Sequence, residues 1–306
     1  MRVDFPAEPI DLLLYTIGYE ARSSHIASAI HAEKRIAVVY EHDQVLAFER
    51  NLEAAKLRGD QLITQSDAML AGGLLLHTLR SCEPGAKIGV DVSSMDRTLM
   101  ASILIQATDV MQQQELELQI LYSPSSYLPP ARQPARFMDF APIVGLDGWT
   151  AHPERPLTMI LGIGYEQDHA LGALEYLDPS FAWVFAPHGF DSRFDADIRK
   201  GNRDLYELVP TERRIEYWIK NPNRLYEDLR SLTISSRRTD RIVIVPGGPK
   251  IFSALSILIK LEAGSEVAVW RNSGHRDTPS REVEAFGEIV RYKYPTFRSV
   301  TVDPSF

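Results

Sequence analysis

The chain says one thing twice. Ile17-Gly18-Tyr19-Glu20 and Ile163-Gly164-Tyr165-Glu166 each follow an apolar run, LLLYT or LTMILG, and each opens a helix-forming stretch. The next apolar runs, RIAVVYEH and FAWVFAPH, both end on a histidine, His42 and His188. Gly18 to Gly164 is 146 positions, and so is His42 to His188. Further on, KIGVDVSSMDR (87–97) is echoed by RIVIVPGGPK (241–250): strand-length apolar residues, a turn of small residues, one cation, then an apolar helix pattern. Equal offsets between separate matches mark an internal duplication of one structural unit.

In order, the first copy reads as strand (12–17), helix (25–32), strand (35–41), polar helix-prone stretch (44–56), helix with an Asp cap (67–81), strand (87–92), helix (98–107) and strand (116–122). The unbroken apolar character of the strands suits a parallel sheet covered on both faces. The alternation with helices predicts right-handed crossovers. The fold expected is α/β: two tandem Rossmann-like units, mostly parallel sheets flanked by helices. Residues 1–150 form the first unit, with proline-rich 123–156 supplying its C-terminal appendage and the linker. Residues 151–306 form the second, closed by a terminal hairpin of EIVRYKY and FRSVTV.

Composition narrows the function. A net charge of −8 and a pI of about 5.5 argue against broad contact with duplex DNA, which calls for a basic surface. No apolar run reaches the roughly 18 residues of a membrane helix, and the N-terminus lacks the order of a signal peptide. With a single cysteine, Cys82, there is no internal disulfide and no cysteine zinc cage, so a cytoplasmic protein is expected. No HxH, HExxH or paired-aspartate helix spacing suggests a metal. Neither copy carries a Walker loop, GxGxxG or GxSxG, so no cofactor is expected.

In an open parallel sheet ligands sit beyond the carboxyl ends of the strands. The loops after the first and fourth strands share that edge. They bring Gly18, Tyr19, Glu20, Arg22, Ser93, Ser94, Asp96 and Arg97 from one copy, and Gly164, Tyr165, Glu166, Gly247, Gly248 and Lys250 from the other. Small residues let backbone N–H groups approach a phosphate, a helix N-terminus adds positive potential, and Arg97 or Lys250 supplies a counter-ion. The plain alternatives are strand-to-helix turns for the glycines, dipole-facing acids for the glutamates and sheet-edge aromatics for the tyrosines. His42 and His188, each followed by an aspartate, are candidate bases, with Glu20 and Glu166 as acids. Ser273 and His275, in the polar loop after the last parallel strand, are further ligand candidates; a solvated loop is the alternative.

The strand-four pieces VDVSSMDRTLM and VIVPGGPKIFSAL resemble those of CRISPR-associated Rossmann-fold (CARF) domains and their SAVED relatives. The resemblance implies a sensor of cyclic oligonucleotides in bacterial antiphage defence. Its ligand would be held by the loops after strands one and four of two folds paired about a pseudo-twofold. One small anionic nucleotide-like ligand between the lobes, a separate effector protein as partner, no membrane, and compatibility with a homodimer then follow. Two other readings stand beside it. One is an enzyme on the same scaffold, a nucleotide phosphodiesterase or a nucleoside- or phosphate-transfer enzyme; the other is a protein-interaction scaffold.

Overall fold

A run such as LLLYTI has no polar face to offer water, and the chain buries it in the middle of a sheet. The computed structural model describes residues 8–70, 72–131, 137–148, 152–166, 169–274 and 280–295, with only the backbone of 137–139 and 273–274. The strands are β1 (Ile10–Ile17), β2 (Ala32–Val39), β3 (Gln61–Thr64), β4 (Ala86–Asp91), β5 (Leu116–Tyr122), β6 (Phe137–Pro142), β7 (Leu157–Gly162), β8 (Phe181–His188), β9 (Arg214–Trp218), β10 (Arg241–Pro246), β11 (Val267–Gly274) and β12 (Val290–Lys293). The helices are α1 (His25–Ala29), α2 (Phe48–Arg58), α3 (Gln65–Met69), α4 (Leu74–Arg80), α5 (Arg97–Met111), α6 (His169–Leu177), α7 (Arg193–Gly201), α8 (Arg203–Leu208), α9 (Pro222–Ser236) and α10 (Lys250–Ala263). One sheet runs β12-β5-β4-β1-β2-β3 and the other β6-β11-β10-β7-β8-β9. Both are parallel except at the β12 and β6 ends, giving the α/β architecture expected of two sheet units.

The end strands are exchanged. β6 follows the first five strands in sequence yet pairs with β11 of the second sheet, and β12 pairs with β5 of the first. β6, inside the stretch expected as an appendage of the first half, therefore does not close that half's sheet. Nor does the tail close the second: its strand closes the first sheet, while the other arm of the expected hairpin, 297–302, lies outside the described residues. The physical reason is the open edge of a parallel sheet, whose unpaired N–H and C=O groups want a partner. Each half lends the other a strand. The exchange is itself duplicated: Gln119 faces Lys293 and Trp270 faces Pro142, so both members shift by 151 (270 − 119 and 293 − 142).

The halves also share a core. α5 and α10 pack against each other, and one apolar cluster runs through Leu99, Ile103 and Leu104 to Ile251, Leu255 and Leu258. Every residue of α10 from 251 to 259 is buried, which marks a helix enclosed on all sides rather than an amphipathic surface one.

Three local expectations are revised. β3 and β9 are short edge strands that the apolar pattern does not announce. The helix expected over 67–81 is two helices, because Gly72 takes φ +82 between them, and Thr64 Oγ1 rather than Asp67 caps the first by accepting from Asp67 N at 3.1 Å. The histidine match is one residue out of register. Leu12 pairs with Lys34, and Thr158, 146 further on, pairs with Phe181, which is 147 beyond Lys34 (181 − 34). On the ladder, His188 answers to Glu41.

Candidate functional site

The Gly-Tyr-Glu corners leave the ends of β1 and β7 and are each held from behind by a buried asparagine. Asn51 of α2, 1% exposed, donates through Nδ2 to the carbonyls of Gly18 (3.0 Å) and Glu20 (2.9 Å) and to Ser23 Oγ (2.9 Å). Asn202, 3% exposed and 151 positions on (202 − 51), donates to Gly164 O at 2.7 Å and to Ile198 O at 2.9 Å. Sequence reasoning missed both, because a lone asparagine beside a charged helix carries no pattern. Asn51→Ala strips these carbonyls of their donors inside the fold. It is expected to destabilise the protein by about 2–3 kcal/mol in denaturant titration, from the usual worth of each such bond.

Behind the second corner the backbones touch. Gly248 takes φ +66 with its Cα against Gly164, and an added Cβ at Gly164 would lie 2.9 Å from that Cα. Only glycine at both positions lets the exit loops of β7 and β10 cross.

Three cations gather here. Arg22, 8% exposed, sends Nε to Glu20 Oε2 at 2.6 Å and Nη1 to Ser123 O at 3.3 Å. Burial alone would lower its pKa, but Glu20 and Tyr122 more than offset this and hold the guanidinium charged. Arg97 and Lys250 are different. Each is the first residue of a long helix, α5 or α10, where the macrodipole already places positive potential. Neither helix has an acid in its first turn. Burial pushes the Arg97 guanidinium down, and its Nε is enclosed without a partner. Burial, and then the neighbouring Arg97, push the Lys250 ammonium down to about 8. Among the described residues neither side chain has a hydrogen bond or an ion pair.

The matching loop of the first lobe is occupied with its own fold. Ser93 is buried, donating to Asp91 Oδ1 through N and Oγ and accepting from Ser123 N at 2.8 Å. Tyr40 donates its hydroxyl to Ser94 O (3.2 Å) and accepts from Asp96 N (2.6 Å). Asp96 caps α5 through Thr98 N and Leu99 N, both at 2.8 Å. Asp91 is enclosed with Oδ2 unpartnered, and burial raises its pKa to about 7 despite the Ser93 bonds. A folded pKa above the unfolded 3.8 means that the native state binds the extra proton between those values, so this contribution falls as pH rises from about 4 to 7. Relative to the parent, the Asp91→Asn variant is therefore expected to gain about 2–3 kcal/mol in unfolding free energy between pH 5 and pH 8.

A cavity of about 250 Å³ lies between the lobes. The first lobe gives it Glu20, Arg22 and Tyr122; the second gives Gly164, Tyr165, Glu166, Gly248 and Lys250. Phe190 and Phe194, from the loop after β8 and the start of α7, complete an aromatic wall, Tyr165 stacking on Phe194 at 5.6 Å. The roof is made by the two crossover segments. Ser126 N donates to Glu284 O (2.9 Å), Phe286 N to Pro124 O (2.9 Å), and Arg22 N to Val283 O (3.1 Å). Tyr127 ties this roof to α7 through Asp197 Oδ2 at 2.7 Å.

The cavity thus unites Glu20, Arg22, Gly164, Tyr165, Glu166, Gly248 and Lys250. Arg97 stands beside Lys250, off the wall, and Gly247 supports the loop through its N–H to Gly162 O at 2.9 Å. Gly18, Tyr19, Ser93, Ser94 and Asp96 are not on the wall. His42 is on an exposed loop, 4.0 Å from Asp43. His188 meets Asp195 through Nδ1 (3.0 Å) and Glu216 through Nε2 (3.1 Å) and stacks on Trp218 at 4.7 Å. Burial lowers its pKa, the two carboxylates outweigh that, and the net shift is upward. The Ser273 side chain and His275 lie outside the described residues. Among the described residues no group of three or more histidine, cysteine, aspartate or glutamate side chains could hold a metal ion, and no helix is long and apolar enough to cross a membrane.

No protein-family model matches the chain, and no curated protein matches it. Among solved structures it is similar to a type III CRISPR defence DNA nuclease activated by cyclic oligoadenylate, with a TM-score of 0.43, 9% identity, and coverage of 82% of this chain and 64% of that one. It is also similar to the cytoplasmic domain of a prokaryotic cation chloride cotransporter (TM-score 0.23, 11% identity, 87% of this chain, 96% of that one). A third is phosphoethanolamine N-methyltransferase 1 of Haemonchus contortus (0.24, 9%, 79% and 70%). The chain spans less than two thirds of the nuclease, and at these TM-scores the likeness carries no functional argument.

Proposed function

We propose that the chain is a nucleotide sensor that takes an anionic, nucleotide-like ligand in the cavity between its lobes. In this reading it is of the (cyclic oligo)nucleotide-sensing, antiphage-defence type and acts through a separate effector protein. The observation that carries the reading is the pair Arg97 and Lys250: adjacent like charges, part-buried, set at two helix N-termini and, among the described residues, in direct contact with no carboxylate, so that the more distant Glu20, Asp96 and Glu166 offset their burial only in part. A buried cation compensated only in part is costly to fold around, and a bound anion removes that cost. The aromatic wall supports a ligand with a base as well as a charge.

The enzymatic alternative has less support. A histidine general base needs a free ring nitrogen at the reacting group. His188 has both nitrogens engaged, and His42 stands on an exposed loop away from the cavity.

The test is mass spectrometry of small molecules released from the purified, denatured chain, with melting curves in a panel of nucleotides. A nucleotide that co-purifies or raises the melting temperature, and that survives long incubation intact, is expected. A chain that releases no anion and melts unchanged across the panel contradicts the proposal; one that consumes the nucleotide supports the enzyme instead.

A further inference from the structure

The internal symmetry of the fold is not carried into the cavity. Lys250 and Gly248 are on its wall, whereas their counterparts 153 positions earlier, Arg97 and Met95, are not, and Met95 is fully buried. Phe190 and Phe194 come from the second lobe. By the offset of 147 between β2 and β8, the residue answering to Phe190 is Asp43, exposed on the loop that carries His42. Lys250, Phe190 and Phe194 therefore all come from the second lobe, and the first contributes Tyr122 and the ion-paired Glu20 and Arg22. At about 250 Å³ the space is near the lower end of the roughly 300–1,000 Å³ of small-molecule pockets, closer to one nucleotide unit than to a ring of several.

Resting on the reading of this cavity as a nucleotide site, we propose that its ligand is a single nucleotide unit, one phosphate and one base, rather than a twofold-symmetric ring. The phosphate lies at Lys250 and the start of α10, whose N-cap, Pro249, offers no side-chain acceptor, its carbonyl taking only Phe252 N of the first turn at 3.0 Å. The base lies against Tyr165, Phe190 and Phe194. The Glu166 carboxylate, exposed at the rim, accepts from the ribose hydroxyls. A ring presenting the same phosphate to both lobes would meet Lys250 on one side and, on the other, a loop whose Ser93, Ser94 and Asp96 already bond within their own lobe.

Calorimetric titration of the full chain with AMP, GMP, CMP, UMP, inorganic phosphate and a cyclic oligoadenylate tests this. One mononucleotide is expected to bind one per chain and more tightly than phosphate. Phe190→Ala is expected to weaken that mononucleotide at least about fivefold while leaving phosphate unchanged, as loss of a stacking face should. The milder Phe190→Leu keeps the apolar bulk against Phe286 and gives the same direction if the alanine variant does not fold. Binding of the cyclic oligonucleotide with no mononucleotide binding overturns this inference and leaves nucleotide sensing intact. Phosphate binding as tightly as every mononucleotide also overturns it, by showing a bare anion site. Binding of nothing in the series overturns both.

Discussion

Produced separately, residues 1–150 and 151–306 are expected to remain unfolded, and mixed in equal amounts they are expected to assemble into one cooperative body. Each fragment carries the edge strand of the other's sheet, β6 or β12. Each would also expose the face of α5 or α10 that the partner helix covers. A Leu or Ile moved out of water contributes about 1.5–3 kcal/mol. Losing several at once exceeds the roughly 5–15 kcal/mol by which a whole domain is stable. Circular dichroism of the fragments, alone and mixed, reads the outcome. The full chain should show a single unfolding transition, and a cooperative transition in either fragment alone would show that the strand exchange is dispensable.

Lys250→Glu is expected to abolish nucleotide binding, with affinity down by about a hundredfold or more. Losing one charge-assisted hydrogen bond costs about 1.5–3 kcal/mol, and the new carboxylate adds repulsion toward the ligand. The fold should survive, since an acid at the first residue of α10 suits the helix dipole. Arg97→Ala should weaken binding less, because Arg97 is off the wall and reaches the anion only through its field, and because its loss also lets the Lys250 ammonium hold its proton more firmly. The same logic fixes the pH dependence. An anion prefers the protonated ammonium, so affinity is full below about 7 and declines as pH rises through the Lys250 value of about 8. Calorimetry at pH 6.5 and 9 measures it.

Much of this was legible in the residues. The repeated Ile-Gly-Tyr-Glu and the two strand-four pieces fix a duplicated α/β unit, and continuous apolar strands with intervening helices fix its parallel sheets. Arg97 and Lys250 stand out as the only cations closing those loops. What stayed hidden is non-local. β6 and β12 read as tails of their own halves because a strand's sequence does not say which edge it will join. β3 and β9 are short edge strands, QLIT and RIEYW, too brief to show a period. Asn51 and Asn202 act through single amides. The aromatic wall was visible as HGFDSRF after β8, yet its aim toward the cavity depends on α7 packing. The histidines misled because sequence identity at equal spacing outran the ladder, which places Glu41 opposite His188.

Lys250 is a cation kept for the sake of a ligand: burial and Arg97 oppose its charge, and Glu20 and Asp96 offset them only in part. Its ammonium falls from 10.5 to about 8 in the folded chain, so the charged form is disfavoured there and stability rises as pH climbs from 8 toward 10.5. Thermal unfolding of the ligand-free Lys250→Met variant at pH 7 tests the claim most directly. Removing a buried charge at a helix N-terminus while keeping an unbranched side chain should stabilise the protein by about 1–3 kcal/mol, several degrees in melting temperature. A variant that melts below the parent would show that Lys250 earns its place in the empty fold, and the anion site would lose its foundation.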